Sequence, residues 1–140
     1  MAKSEVFVDT SALYAMVDKH DSRHKAVLEI VPKLVRAGRQ LVVTDYIVTE
    51  TVNLANARGG SFVARRVLDL IEQSAGIRTE WMGPARFELT KAFYRKHADH
   101  AYSFTDCSSF VVMRELRMTE ALTSDRHFRE AGLQVLLPLS

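Results

Sequence analysis

Four acids, Asp9, Glu50, Asp106 and Asp125, stand where carboxylates can do chemistry. Asp9 ends the apolar, β-favouring run Val6-Phe7-Val8, and Asp125 follows Ala121-Leu122-Thr123-Ser124. Glu50 lies little more than one turn into the helix expected after Leu41-Val42-Val43-Thr44, and Asp106 opens a helix after Ser103-Phe104-Thr105. Acids delivered to the carboxyl ends of parallel strands meet in one crevice, the ligand site of open α/β sheets. Two carboxylates about 5 Å apart repel by roughly 3 kcal/mol at an effective dielectric near 20, so four together need a countercharge. No flanking base is placed to neutralise them all, although Arg126 adjoins Asp125. A divalent cation is the economical partner. All-oxygen ligation with open water positions suits Mg²⁺ or Mn²⁺, and no Cys/His spacing suggests zinc. Such a cation acidifies a bound water and neutralises charge on a leaving oxygen, which is the chemistry of phosphodiester hydrolysis.

In that scheme Asp9 anchors the cation, Asp106 and Asp125 complete its shell directly or through water, and Glu50 orients or deprotonates the attacking water. Thr10, Ser11 and Thr105 hold the carboxylates or touch phosphate. Each acid has a plainer explanation as well. Asp9 and Asp125 suit helix N-caps, Ser103-x-x-Asp106 fits a capping box, and Glu50 suits a solvated helix face. Singly, capping is the commoner role; it is the set of four that points to a metal.

The elements that must position these acids alternate. Val6–Val8 is a strand, Thr10–Val17 a short helix capped by Asp9 or Thr10, and Ser22 to Gly38 an amphipathic helix that Pro32 should kink or divide. Leu41–Thr44 is the second strand, with Asp45 capping a helix whose apolar face is Ile47, Val48, Thr51, Val52, Leu54 and Ala55. Arg58-Gly59-Gly60-Ser61 turns the chain into another helix, with Val63, Val67, Leu68, Leu70 and Ile71 inward, so the two form an α-hairpin. Ile77–Trp81 reads as a third strand, and Pro84 starts the helix running toward His97. A loop over 98–102 leads to the helix from Asp106 to Arg117, a strand at Ala121–Thr123, a short helix over 126–131, and an edge strand within Gln134–Leu137. This pattern predicts an α/β three-layer sandwich: a mainly parallel central sheet of four to five strands with helices on both faces.

At 140 residues and 47% hydrophobic content, one domain spanning 1–140 is expected. The lone Cys107 excludes an internal disulfide and agrees with a reducing compartment. No apolar run approaches a membrane span, and Met1 to Ser4 is too short for a signal peptide, so a cytoplasmic protein is expected. The net charge of +2 is slight, but with four of the 17 acids drawn into one cleft, 19 Lys and Arg face 13 acids elsewhere. That surface suits a polyanion. Arg58, Arg65, Arg66 and Arg126 are candidate RNA contacts, with solvation of a helix face as the plainer role. His20 and His24 read as surface residues, His127 as structural, and Phe128, Trp81 and Val111-Val112-Met113 as core. Cys107 reads as a buried hydrophobe rather than a nucleophile.

Val8-Asp9-Thr10-Ser11-Ala12-Leu13, Thr44-Asp45-Tyr46 to Glu50, Ser103-Phe104-Thr105-Asp106-Cys107 and Leu122-Thr123-Ser124-Asp125-Arg126-His127-Phe128 together resemble a PIN-domain protein of the VapC-type toxin branch, from Glu5 to about Leu136. The resemblance implies a Mg²⁺- or Mn²⁺-dependent ribonuclease acting on single-stranded or structured RNA and leaving a 5′-phosphate. It also implies a homodimer and, as partner, a small antitoxin protein. Asp9, Glu50, Asp106 and Asp125 match the family's acidic quartet. Arg129 stands where some members have a further acid, which favours one resident cation. The alternative within the family is a non-catalytic RNA-binding or scaffolding module. Outside it, a receiver with Asp9 as phosphoacceptor lacks the lysine or second acid such a site needs.

Overall fold

The computed structural model describes residues 4–140. Met1 to Lys3, most of the stretch read as too short for a signal peptide, lie outside the described residues. The elements in order are β1 (Glu5–Val8), α1 (Thr10–Val17), α2 (His24–Arg36), β2 (Gln40–Thr44), α3 (Asp45–Gly59), α4 (Ser61–Gln73), β3 (Ile77–Glu80), α5 (Gly83–Lys96), α6 (Phe104–Glu115), β4 (Glu120–Leu122), α7 (Arg126–Glu130) and β5 (Gln134–Val135). The five strands form one parallel sheet in the order β3-β2-β1-β4-β5, with helices on both faces. No helix among the described residues is long and apolar enough to cross a membrane.

The strand order explains where a site can form. From β1 the chain steps outward to β2 and β3, then returns to pair β4 against the other side of β1. The direction of winding therefore reverses beside β1, and the helices leaving β1 and β4 diverge to open a crevice above their carboxyl ends. Val6, Phe7 and Val8 are fully buried, as a central strand covered on both faces requires. Phe7 stacks on Phe128 at 6.4 Å, and Phe110 meets Phe128 edge-on at 5.0 Å, fastening α6 and α7 to the sheet.

Several local expectations change. Thr44, not Asp45, caps α3: its hydroxyl accepts from the Ile47 N–H at 3.1 Å. Asp45 is the first helical residue, and its carboxylate instead accepts from the Met82 N–H at 2.8 Å, tying α3 to the chain leaving β3. Pro32 does not divide α2, which runs unbroken from His24 to Arg36. Pro32 lies on the exposed side of α2, where water can satisfy the carbonyl left without its helical donor. Trp81 is 70% exposed rather than core, because β3 is an edge strand that ends at Glu80. Leu68 faces outward at 42% exposure, since Ala64 and Val67 form the buried seam of α4. α6 stops at Glu115, where Arg117 adopts φ 57° and the Met118 N–H reaches back to the Met113 carbonyl at 2.8 Å.

Candidate active site

Asp9 begins α1 through its backbone, its carbonyl accepting from the Ala12 and Leu13 N–H groups, while its carboxylate makes no capping bond. The side chain turns instead to the crevice. There Oδ2 accepts from the Thr123 hydroxyl at 2.8 Å and from the Ser11 hydroxyl at 3.4 Å. Thr123 serves both strand ends, because the same oxygen accepts the Asp125 N–H at 3.0 Å. Asp9 is only 6% exposed, and burial pushes its carboxyl up to about 7. The Thr123 hydroxyl and a backbone bond at Thr10 pull the other way, while the nearby charges of Asp106 and Asp125 raise it further.

Asp106 and Asp125 converge around one imidazole. Asp106 and Ser103 form the expected capping box: the Ser103 N–H donates to Asp106 Oδ2 at 3.1 Å, and the Asp106 N–H donates to Ser103 Oγ at 3.0 Å. Asp125 caps α7 by accepting the His127 N–H at 2.9 Å. Capping and site geometry thus coincide, the caps fixing each carboxylate at the cleft. His127 Nδ1 lies 3.3 Å from Asp106 Oδ2 and 3.4 Å from Asp125 Oδ1. One ligand atom from each of Asp106, Asp125 and His127 falls within 4.8 Å of the others, so this cluster could coordinate a divalent metal ion. Burial raises the Asp106 carboxyl above its ordinary value, with the Asp125 charge adding to it and the Ser103 N–H and His127 opposing it.

Glu50 arrives from α3, and Thr10 positions it by donating its hydroxyl to Oε1 at 2.6 Å. All four acids, with Thr10 and Ser11, line one cleft of about 530 Å³. Of the basic candidates, Arg58 and Arg126 line it as well; Arg58 also lies over the Tyr14 ring at 5.3 Å, and Arg126 is 3.7 Å from Glu130. Arg65 and Arg66 do not, lining a separate hollow with Phe62 and Leu68 on α4. Thr105 faces a neighbouring hollow shared with Glu50, and its carbonyl accepts from Ser108 and Ser109.

His127 and Arg23, which line the cleft, and Thr123, which is fully buried and bonded to Asp9, are absent from the site expected on sequence grounds. His127 bridges two acids; its position two residues after Asp125 was visible, but its proximity to Asp106 is tertiary. Thr123 joins Asp9 to Asp125, and as the apparent last residue of a strand gave no sign of this. Arg23 extends from the break before α2, held by Asp21 through paired bonds of 2.9 and 2.8 Å and reaching Ser124 Oγ at 3.0 Å. Cys107 behaves as expected: 1% exposed, its thiol is pushed up to about 11 by burial and by Asp106.

Two buried carboxylates, Asp9 and Asp106, with the half-buried Asp125, the exposed Glu50 and one imidazole around an open crevice are chemically suited to holding a hard or borderline divalent cation against a phosphate. Known proteins share this frame. Residues 6–133 match the PIN domain. The chain is 30% identical over 135 residues to the 23S rRNA-specific endonuclease VapC20 of Mycobacterium tuberculosis, a match covering 95% of this chain and 98% of that protein. It is 31% identical over 126 residues to Ribonuclease VapC26 of the same organism, covering 88% and 89%. The crystal structure of M. tuberculosis VapC20, described as a sarcin-ricin loop cleaving toxin, superposes with a TM-score of 0.82 at 28% identity, covering 95% of this chain and 99% of that one. FitAcB from Neisseria gonorrhoeae, at 15% identity and a TM-score of 0.64 over 93% and 95% of the two chains, shares the fold. By sequence along nearly its whole length and by architecture, the chain belongs to the PIN-domain family and is a homologue of the VapC ribonucleases.

Proposed function

We propose that this protein is a Mg²⁺- or Mn²⁺-dependent endoribonuclease and the toxin of a toxin-antitoxin pair, working in the cytoplasm as a homodimer restrained by a small antitoxin. The observation that carries this reading is the convergence of Asp9, Glu50, Asp106 and Asp125 on one cleft. The relatives' substrates make the sarcin-ricin loop of 23S rRNA the first RNA to test. A bound divalent cation would supply charge neutralisation at the scissile phosphate and a more acidic water. The protein's own part follows from its residues. Asp9, Asp106 and Asp125 would hold the cation, with His127 as a further ligand or as the donor that fixes Asp106. Thr123 and Ser11 keep Asp9 from rotating out of the cleft. Glu50, set by Thr10, would orient the attacking water and take its proton. Arg23, Arg58 and Arg126 would offset phosphate charge along the cleft.

The test is cleavage of a sarcin-ricin-loop hairpin and of an unrelated hairpin with Mg²⁺, with Mn²⁺ and in EDTA. Cutting is expected only with metal. Asp9→Asn and Asp106→Asn should each lower the rate by about 100-fold or more while circular dichroism stays unchanged. Undiminished cleavage in EDTA would overturn the proposal, and RNA binding without cleavage under any metal would point instead to a non-catalytic module.

A further inference from the structure

Beside the cleft lies a second hollow, of about 400 Å³, with largely aromatic walls. Tyr102 is the partition between the two. Its ring, 7% exposed, meets His127 edge-on at 5.6 Å on the cleft side and Phe110 at 5.1 Å toward the core. On the hollow's side His100 stacks on Tyr102, with centroids 4.7 Å apart and planes within 7° of parallel. His97 lies tilted against His100, 5.7 Å away, and itself stacks on Phe93 at 4.1 Å. Arg114 and Glu130 also line the hollow, giving it one cation and one carboxylate.

These are the parts that hold an unpaired base. RNA-binding proteins stack splayed-out bases on aromatic, histidine and arginine planes and satisfy the base edge with polar side chains. Ligand sites begin at about 300 Å³, so the hollow has room for one base, and it is open at exposed His100. Tyr102 separates it from His127, and thus from the acids, by a single ring. The His100 end of the cluster is exposed, and the next residue, Ala101, lines the cleft. We propose that the hollow takes one unstacked base from a nucleotide flanking the scissile phosphate, so that a base is read on one side of Tyr102 while the acids act on the other. This inference rests on the ribonuclease reading above.

The probe is a sarcin-ricin-loop RNA hairpin carrying 2-aminopurine at one loop position at a time, titrated with the full chain in EDTA so that binding is seen without cutting. One position should lose fluorescence several-fold on binding. That loss should vanish in His100→Ala and in Ala131→Phe, which fills the hollow, and persist in Arg65→Ala, each variant first shown folded by circular dichroism. With metal, the two hollow variants should raise KM roughly tenfold and leave kcat little changed. Absence of any quenched position, or quenching that persists in both hollow variants, overturns the inference. Metal-dependent cleavage without such quenching overturns the inference and leaves the ribonuclease reading standing; quenching without cleavage overturns the ribonuclease reading and, with it, the placement of that base beside a scissile phosphate.

Discussion

Asp9 is a carboxylate held in a place that penalises its charge. Its folded value of about 7 stands above the ordinary 3.8, so the folded protein binds this proton more tightly than the unfolded chain does. The stability this contributes is fully present below the unfolded value and is lost as pH rises toward 7. Metal-free protein should therefore melt at lower temperature at pH 8 than at pH 5, the group accounting for at most about 3 kcal/mol across that interval. Asp9→Asn should flatten that slope, and added Mn²⁺ should raise the melting temperature most at pH 8, where the acid is ionised; thermal melts in EDTA and in Mn²⁺ measure all three. His127 makes a separate prediction. Because Nδ1 serves both Asp106 and Asp125, His127→Ala should weaken metal affinity or cleavage by about 10- to 100-fold without unfolding the chain. Steady-state cleavage against Mn²⁺ concentration checks it, and an unchanged metal dependence would make His127 a packing residue only.

Among the elements, the central strand and some of the helix caps and turns were legible because they are local. Val6-Phe7-Val8 reads as a covered strand that Asp9 stops, Ser103 and Asp106 announce a cap, and the glycines at 59 and 60 announce the hairpin turn. What escaped depends on neighbours. Thr44 and Asp45 are both competent caps, and Met82, brought in by β3, decides between them by claiming the Asp45 carboxylate. Trp81 looks like core until β3 proves to be the sheet edge. The gathering of the acids was legible through strand ends and switch-point logic, whereas Thr123 and Arg23 were not, since each acts through a partner more than 100 residues away in the chain. The end of α6 yields a prediction of its own. Arg117 holds a left-handed conformation that costs a non-glycine residue on the order of 1 kcal/mol. Arg117→Gly should therefore raise the melting temperature by a few degrees with cleavage unchanged; a drop would mean that the Arg117 side chain contributes more than its backbone costs.

Over the whole molecule, charge is sorted rather than summed. A net charge of +2 conceals an acidic cleft rimmed by Arg23, Arg58 and Arg126, with Arg65 and Arg66 set apart on α4. RNA held along the cleft should lose affinity steeply with salt. Arg126→Ala should weaken binding and lower the salt slope by about one, while a double Arg65→Ala, Arg66→Ala change should leave both within error, as read by fluorescence anisotropy across a salt series. The reverse pattern would move the RNA path onto α4.

Anomalous scattering from crystals soaked in Mn²⁺ would show whether the gathered carboxylates hold a cation. A peak is expected in the cleft within about 2.0–2.3 Å of carboxylate oxygens from at least two of Asp9, Asp106 and Asp125, lost in Asp106→Asn. A cleft without a peak while Mn²⁺ binds elsewhere, or not at all, would contradict it.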